Sequence, residues 1–94
     1  MVDRQQFLVR TRIETHTLQA YLEEEWLIPR RAAGAEEFSD ADIARANLIR
    51  DLKAEMGVND EGIGVILHLI DQLHGLRNTL DGFLRTQRAT EPPG

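Results

Sequence analysis

Three side chains on one predicted helix are of the types that bind metals. His68, Asp71 and His74 step by three along the chain, and imidazole and carboxylate groups are common zinc ligands. Three residues make less than one helical turn, so these side chains spread over about 120° of the helix surface. No fourth ligand is evident, and a solvated face or an interface rim is the competing interpretation. We therefore predict no metal site and no cofactor.

One residue has a side chain that can act as a nucleophile. Ser39 is the only serine, and the chain contains no cysteine. Ser39 lies directly before a predicted helix, where a serine hydroxyl ordinarily caps the backbone rather than attacking a substrate. The absence of cysteine also excludes disulfides and thiolate metal ligands. We predict no catalytic residue and no enzymatic activity.

Acidic side chains are the third group of interest. The net charge is −5, and residues 32–61 hold eight acidic against three basic residues, while the charges elsewhere balance. Neutralisation of phosphates supplies most of the affinity for nucleic acids, so this excess disfavours nucleic acid and favours a basic protein surface as the partner. We predict a partner-binding acidic face formed by Glu23, Glu24, Glu25, Trp26, Glu36, Glu37, Asp40 and Asp42.

Simpler interpretations of the acidic face stay open at this stage. A cluster of carboxylates is commonly just a solvated surface. Trp26 lies at a helix exit, where tryptophan is usually part of the core, although a partly exposed tryptophan would be a binding hot spot. Which side of the molecule docks on a partner, and in what stoichiometry, is not given by the sequence.

The longest predicted helix runs from Gly62 to Leu84 and carries a regular apolar stripe. The stripe alternates spacings of three and four residues, which is the seam of a coiled coil. Its burial would contribute on the order of 10 kcal/mol, so the stripe needs a partner. We predict a homodimer, in parallel or antiparallel pairing, with an intramolecular core as the alternative. The seam residues are Ile66, Leu69, Leu73, Leu76, Leu80 and Phe83.

The elements before that helix are short. We expect a frayed start over 1–6, a short helix over 7–12 and a second helix over 15–26. The segment 27–29 should be extended, because the residue before a proline avoids the helical region. Residues 30–37 contain a glycine but no helical stripe, which predicts a β-hairpin or loop, here called the wing.

Two capping signals delimit the last two helices. Ser39 with Asp42 matches a capping box, and Asn59 precedes the last helix as a second cap. We expect the third helix to end near Met56, with Gly57 closing it. The residues expected to face inward are Ile43, Ala46, Ile49, Leu52 and Met56, and those expected to face outward are Arg45, Arg50, Lys53 and Glu55.

The expected organisation is one small body with an appended helix. Residues 1–58 form the body, 59–88 the dimerisation helix and 89–94 a disordered tail. No apolar run approaches the roughly 18 residues of a membrane span, and the polar start does not match a signal peptide. A reducing cytoplasm is therefore the expected location.

In this order the elements resemble the MerR-like winged helix-turn-helix. The resemblance implies a mainly all-α fold with a small β-hairpin wing and a long C-terminal dimerisation helix. It covers nearly the whole chain. The residues that carry it are Thr17, Leu18, Tyr21, Trp26, Leu27, Pro29, Arg31, Gly34, Phe38, Ser39, Asp40, Asp42, Ile43, Ile49, Leu52 and Gly57.

The chain departs from the DNA-binding members of that superfamily where they contact DNA. Their recognition helix carries Thr-Leu-Arg-Tyr-Tyr, whereas Gln19 and Ala20 replace the arginine and the first tyrosine here. In their wing a glycine is followed by an aromatic residue and an arginine, whereas Gly34 is followed by Ala35 and Glu36. A carboxylate in that place repels phosphate, so DNA binding looks lost.

Within the superfamily the chain looks like the CbpM-type chaperone modulators. The short length, the exit over 27–29 and the run 62–71 after Asn59 carry this likeness. It implies a non-enzymatic protein that binds the J-domain of a DnaJ-like co-chaperone and inhibits its cooperation with a DnaK-type chaperone. A MerR-like DNA-binding transcriptional regulator is the alternative.

Overall fold

The computed structural model describes residues 1–90, with side chains up to residue 88. Contacts divide the chain into two units, one over residues 1–63 and one from residue 64 on. The predicted fold class is confirmed, while residues 91–94 of the predicted disordered tail lie outside the described range. The elements are α1 (Arg4–Thr11), α2 (Thr15–Glu23), β1 (Arg30–Ala32), β2 (Ala35–Glu37), α3 (Asp40–Ala54) and α4 (Asp60–Thr90).

The start of the chain is ordered, so the predicted frayed segment 1–6 is wrong. The Asp3 carboxylate accepts from the backbone N–H of Gln6 at 2.8 Å, and the Gln6 side chain accepts from the Asp3 backbone N–H at 3.1 Å. This capping box starts α1 at Arg4, three residues earlier than predicted. The D-x-x-Q spacing is a capping signal visible in the sequence.

Phe38 joins the start of the chain to the end of the wing. Its backbone exchanges two hydrogen bonds with Val2, at 2.8 and 2.9 Å, and its ring stacks on Phe7 with centroids 4.2 Å apart. Both rings are fully buried. They belong to the core of the first unit, whose largest fully buried side chains also include Leu18, Leu27, Ile49, Ile63 and Thr11.

Helix α2 ends at Glu23, three residues before the predicted end. The N–H of Glu25 donates to the Leu22 carbonyl at 3.1 Å, and that of Trp26 donates to the Tyr21 carbonyl at 3.0 Å. These bonds form a Schellman motif, in which the residue at the turn adopts positive φ and is usually glycine. Here that residue is Glu25, with φ of 59°.

The wing is a two-stranded antiparallel hairpin, as predicted. Cross-strand partners are Arg30 with Glu37, Arg31 with Glu36, and Ala32 with Ala35. The two connecting residues, Ala33 and Gly34, have φ of 52° and 79°, which is the pattern of a type I′ turn. Opposite charges thus face each other across the wing, a favourable cross-strand arrangement.

The predicted capping box of α3 is confirmed. The Ser39 hydroxyl accepts from the Asp42 N–H at 3.1 Å, and the Asp42 carboxylate accepts from the Ser39 N–H at 2.9 Å. At the other end, Gly57 has φ of 64°, and the Val58 N–H donates to the Leu52 carbonyl at 3.0 Å. Glycine closes the helix as predicted.

Three orientations expected for α3 are wrong. Met56 is 72% exposed because α3 ends at Ala54 and the inward stripe stops with it. Arg45 and Arg50 are half-buried rather than outward. Their guanidinium groups donate to backbone carbonyls, Arg45 to that of Trp26 and Arg50 to that of Thr11. Each arginine therefore satisfies a carbonyl at the end of an earlier helix.

Asn59 caps α4 as predicted, since its side chain accepts from the Gly62 N–H at 2.7 Å. A Cβ on Gly62 would come within 2.7 Å of Val58, so glycine permits this close start. Further along, Leu69, Leu73, Leu76, Leu80 and Phe83 are each more than half exposed, while Ile66 is half-buried. No helix in the described chain is long and apolar enough to cross a membrane.

The wing turn predicts a stabilising substitution. Asparagine tolerates positive φ better than alanine, so Ala33→Asn should raise the free energy of unfolding by about 0.5–1 kcal/mol. Urea denaturation measures the change. The control, Ala44→Asn at an exposed position inside α3, should lower stability by about 0.6 kcal/mol because asparagine disfavours helix. If both substitutions raised, or both lowered, the free energy of unfolding, the turn assignment would be contradicted.

Candidate protein-binding surface

Helix α2 turns a polar, non-basic side toward solvent. Its apolar residues Leu18 and Tyr21 are buried, which leaves His16, Gln19 and Glu23 exposed on the opposite side. No lysine or arginine lies between residues 14 and 26. In a helix-turn-helix this second helix is the one that enters the major groove. Its solvent side here lacks the cations that would hold a phosphate backbone.

A groove of about 630 Å³ lies beside the end of α2, between the exit segment and the wing. We call it the wing groove. It combines aliphatic and acidic side chains with two arginines, Arg4 of α1 and Arg31 of the wing. Its principal lining residues are Leu22, Glu23, Glu25, Ile28, Arg31 and Glu36.

An ion pair connects α1 to the wing at one wall of the wing groove. A guanidinium nitrogen of Arg4 lies 3.5 Å from a carboxylate oxygen of Glu36, and the Glu36 side chain is only 20% exposed. The same guanidinium reaches the side-chain oxygen of Gln19 at 3.5 Å. Arg4 therefore pairs with one oxygen of Glu36, while the other Glu36 oxygen is buried without a hydrogen-bond partner. Glu23 and Glu25 are the solvent-facing carboxylates of the groove.

The residues predicted to form one acidic face lie in several places. Glu23, Glu25 and Glu36 line the wing groove, whereas Glu24 lines a second groove of about 450 Å³ with Trp26. We call the second one the tryptophan groove, and its lining includes Ala20, Tyr21, Glu24, Trp26, Lys53 and Asp60.

The other acidic residues predicted for this face lie outside the two grooves, in the wing and at the start of α3. Glu37 is half-buried and faces Arg30 across the wing. Asp42 is half-buried and accepts a hydrogen bond from the Ser39 N–H. Asp40 is exposed in the first turn of α3. Of the predicted acidic face, only the carboxylates of Glu23, Glu25 and Glu36 share one groove. Whether any of these residues binds a partner stays a prediction.

Trp26 is a core residue, so its predicted alternative as an exposed hot spot is wrong. It is 6% exposed and lies 5.5 Å from the Tyr21 ring, centroid to centroid. The Lys53 ammonium lies 5.6 Å from the indole centroid, and it also pairs with Asp60 at 2.7 Å. The positive φ of Glu25 reverses the chain, which turns the indole inward.

Ile28 lines the wing groove but is not among the residues predicted from the sequence. Ile28 is 76% exposed while the preceding Leu27 is 2% exposed. The extended segment before Pro29 could have indicated its exposure. Successive side chains of an extended backbone point to opposite sides, so a buried Leu27 places Ile28 in solvent. Arg4 is also absent from the predicted residues, and no local pattern indicates it, since its contacts with Gln19 and Glu36 depend on how α1 packs against α2 and the wing.

Metal binding has no visible support in the part of the chain with described side chains. Within residues 1–88 no group of three or more histidine, aspartate or glutamate side chains is arranged to hold a metal ion. His68 and His74 are exposed on α4. His16 lies 3.2 Å from Glu14, with both side chains more than three-quarters exposed.

Comparison with known protein families shows a match over most of the chain. The model of a family described as MerR HTH family regulatory protein matches residues 2–84, which span the helix-turn-helix, the wing, α3 and most of α4. No curated protein and no solved structure matches the chain.

The environment of Tyr21 generates a pH prediction. Burial raises the pKa of the Tyr21 phenol above its ordinary value of 10.0, an effect opposed by Lys53 and Arg50 and assisted by Asp60. Since the folded state prefers the neutral phenol, Tyr21 should contribute stability that is present below about pH 10 and lost as pH rises through the folded-state pKa.

The titration can be read directly, because Tyr21 is the only tyrosine. Tyrosinate absorbance of the native protein should rise at higher pH than that of the denatured chain. Tyr21→Phe should remove both the signal and this part of the alkaline destabilisation. Coincident titration curves in the two states would contradict the raised pKa.

Proposed function

The chain belongs to the MerR HTH family of regulatory proteins, and on that premise we propose that it is a non-enzymatic regulator that binds another protein. The observation that carries the proposal is the solvent side of α2. In α2, the helix with which this fold reads DNA, Gln19 and Glu23 are exposed, and the helix contains no lysine or arginine. A surface of this kind suits a cationic polypeptide better than a phosphate backbone.

The partner proposed is the J-domain of a DnaJ-like co-chaperone. The proposal derives from the likeness of the chain to CbpM-type chaperone modulators, and the charge of the end of α2 supports it. A J-domain presents a basic helix to its DnaK-type chaperone. Glu23 and Glu25, which remain solvent-facing after Arg4 has paired with Glu36, offer that helix complementary charge.

The mechanism is competition, without a chemical step. When this protein covers the basic helix, the DnaK-type chaperone loses its contact surface on the co-chaperone. Inhibition then depends on the concentration of the regulator and on the affinity of the interface. Because charged residues at an interface mainly accelerate association, the affinity should fall as ionic strength rises. The cytoplasm, where such a partner is found, stays the expected location.

The regulator is proposed to act as a homodimer through α4. Members of this family are commonly dimeric. Five seam residues, from Leu69 to Phe83, are more than half exposed in the single chain, and each would contribute roughly 1.5–3 kcal/mol on full burial. A second copy of the same stripe would cover them in a coiled-coil pairing.

A DNA-binding transcriptional regulator is the second candidate function. The family description favours it, and Arg30 and Arg31 are exposed on β1 of the wing, where cations could reach phosphates. This candidate requires duplex binding that weakens steeply with salt. Each arginine faces a glutamate on β2, which reduces the positive potential of the wing.

The dimer proposal predicts a difference between two variants of α4. Leu76→Asp places a charge in the apolar seam and should convert the dimer to a monomer, because a buried unpaired carboxylate opposes association. Asn78→Asp introduces the same side chain two residues away, outside the seam, and should leave the dimer intact. Sedimentation equilibrium measures both. A wild-type chain that sediments as a monomer would refute the dimer.

The partner proposal predicts different effects of neighbouring charge reversals. Glu23→Lys should weaken binding to the J-domain roughly five- to tenfold at low salt, since it reverses a charge facing the basic helix. Glu24→Lys makes the same change in net charge but alters the tryptophan groove, so its effect should be small. Titration calorimetry measures the affinities, and circular dichroism verifies that both variants fold.

Two results would contradict the partner proposal. One is the absence of J-domain binding by wild-type protein at low salt. The other is tight, salt-sensitive binding of duplex DNA by the same preparation, which would establish the alternative. If Glu23→Lys and Glu24→Lys weaken J-domain binding equally, the partner is right but the interface does not lie in the wing groove.

A further inference from the structure

We propose that Ile28 is the apolar anchor of the wing groove and receives an aliphatic side chain from a basic helix of the partner, with Glu23 and Glu25 binding the cations beside it. The inference deepens the proposed function and rests on it for the identity of the partner. It adds an apolar contact to an interaction that charge alone had suggested.

The exposure of Ile28 is the first observation. A side chain of this size that is 76% exposed is common on a surface when it stands alone. Ile28 instead lies in the lining of a groove that also includes Leu22 and Pro29, both half-buried. Val9 and Met56 are equally exposed, at 77% and 72%, but neither belongs to the wing groove.

The second observation is the charge around that apolar spot. Glu23 and Glu25 are exposed on the α2 side of the groove. Glu36 is paired with Arg4 at 3.5 Å, and Arg31 lies across the wing from Glu36. The exposed carboxylates are thus at the end of α2, where Glu23 accepts a hydrogen bond from the Gln19 side chain at 3.4 Å. An occupant of the groove should carry its cations on that side.

The backbone of Glu25 is the third observation. Its φ of 59° is in the left-handed region that side chains disfavour and glycine tolerates. A glycine would satisfy the Schellman turn better, yet a carboxylate stands there, directed to the groove. The turn therefore sets the Glu25 side chain in the lining of the groove together with Glu23.

These features select the occupant. The groove holds about 630 Å³, room for one or two large aliphatic side chains with their flanks. On a helix, residues three and four apart share one face. Since the proposed partner presents a basic helix, the occupant is a helical segment with a leucine or isoleucine that has lysine or arginine one turn before and after it.

Two probes test the inference. The first is the J-domain of a DnaJ-like co-chaperone. The second is a synthetic helical peptide with a leucine flanked at i−4 and i+4 by lysine, compared with the same peptide carrying serine in place of leucine. Amide chemical shifts of the full chain report where each probe binds. We expect shifts at Leu22, Glu23 and Ile28, with the leucine peptide binding about tenfold tighter than the serine peptide.

Variants of the protein complete the test. Ile28→Ser should weaken both probes about tenfold, whereas Val9→Ser and Met56→Ser, at equally exposed sites, should not. Glu25→Gly should weaken binding and yet raise Tm by about 4–8 °C, because it relieves the positive φ. A loss of binding accompanied by a rise in Tm excludes simple unfolding as the cause.

The outcomes separate the two proposals. If the leucine peptide binds the wing groove but the J-domain does not bind, the proposed partner is wrong and the groove assignment stands. If the J-domain binds with full affinity to Ile28→Ser, the anchor is overturned and the partner stands. Equal affinity for the leucine and serine peptides, or shifts confined to other residues, also overturns the anchor.

Discussion

The position of Phe38 is the constraint on which the first unit depends. Its backbone pairs with Val2, its ring stacks on Phe7, and the next residue caps α3. Burying two aromatic rings against each other contributes several kcal/mol and requires a specific geometry. The wing is thereby held against α1. The ion pair of Arg4 with Glu36, and the wall of the wing groove that it forms, follow from this attachment.

Three arginines of the first unit make internal contacts. Arg45 and Arg50 donate to the carbonyls of Trp26 and Thr11, which follow or end helices and lack intrahelical partners. Buried backbone carbonyls need such donors. Arg4 forms an ion pair with Glu36. These are three of the eight lysines and arginines in the first unit, whereas Glu23 and Glu25 are exposed at the end of α2.

The two surfaces proposed for binding differ in their physics. The seam of α4 is an apolar stripe of five side chains, each more than half exposed, and its covering would be driven by burial of area. The wing groove is small and mixed, so it favours a particular arrangement of one apolar and a few charged groups. The first surface suits a permanent association of identical chains, and the second suits a regulated one with a different protein.

Structural features were predictable from the sequence where the residues that specify them lie close together along the chain. The wing hairpin and the caps at Ser39 and Asn59 followed from local patterns, because capping and turn formation involve residues within a few positions of each other. The capping box of Asp3 with Gln6 is equally local, and its D-x-x-Q spacing is present in the sequence. Met56 was misplaced because the helix stripe was extended past Ala54, where the helix ends.

Residue types and their local spacing were enough to predict the order of elements, the fold family and the net acidic charge. Which carboxylates reach solvent, and in which groove, depends instead on how distant segments pack. Glu23, Glu24 and Glu25 are consecutive, yet the turn at Glu25 directs Glu24 to one groove and its neighbours to another. The same turn buries Trp26, and the extended exit leaves Ile28 in solvent. Whether a side chain reaches solvent depends on packing between segments distant in the chain, and composition does not encode that packing residue by residue.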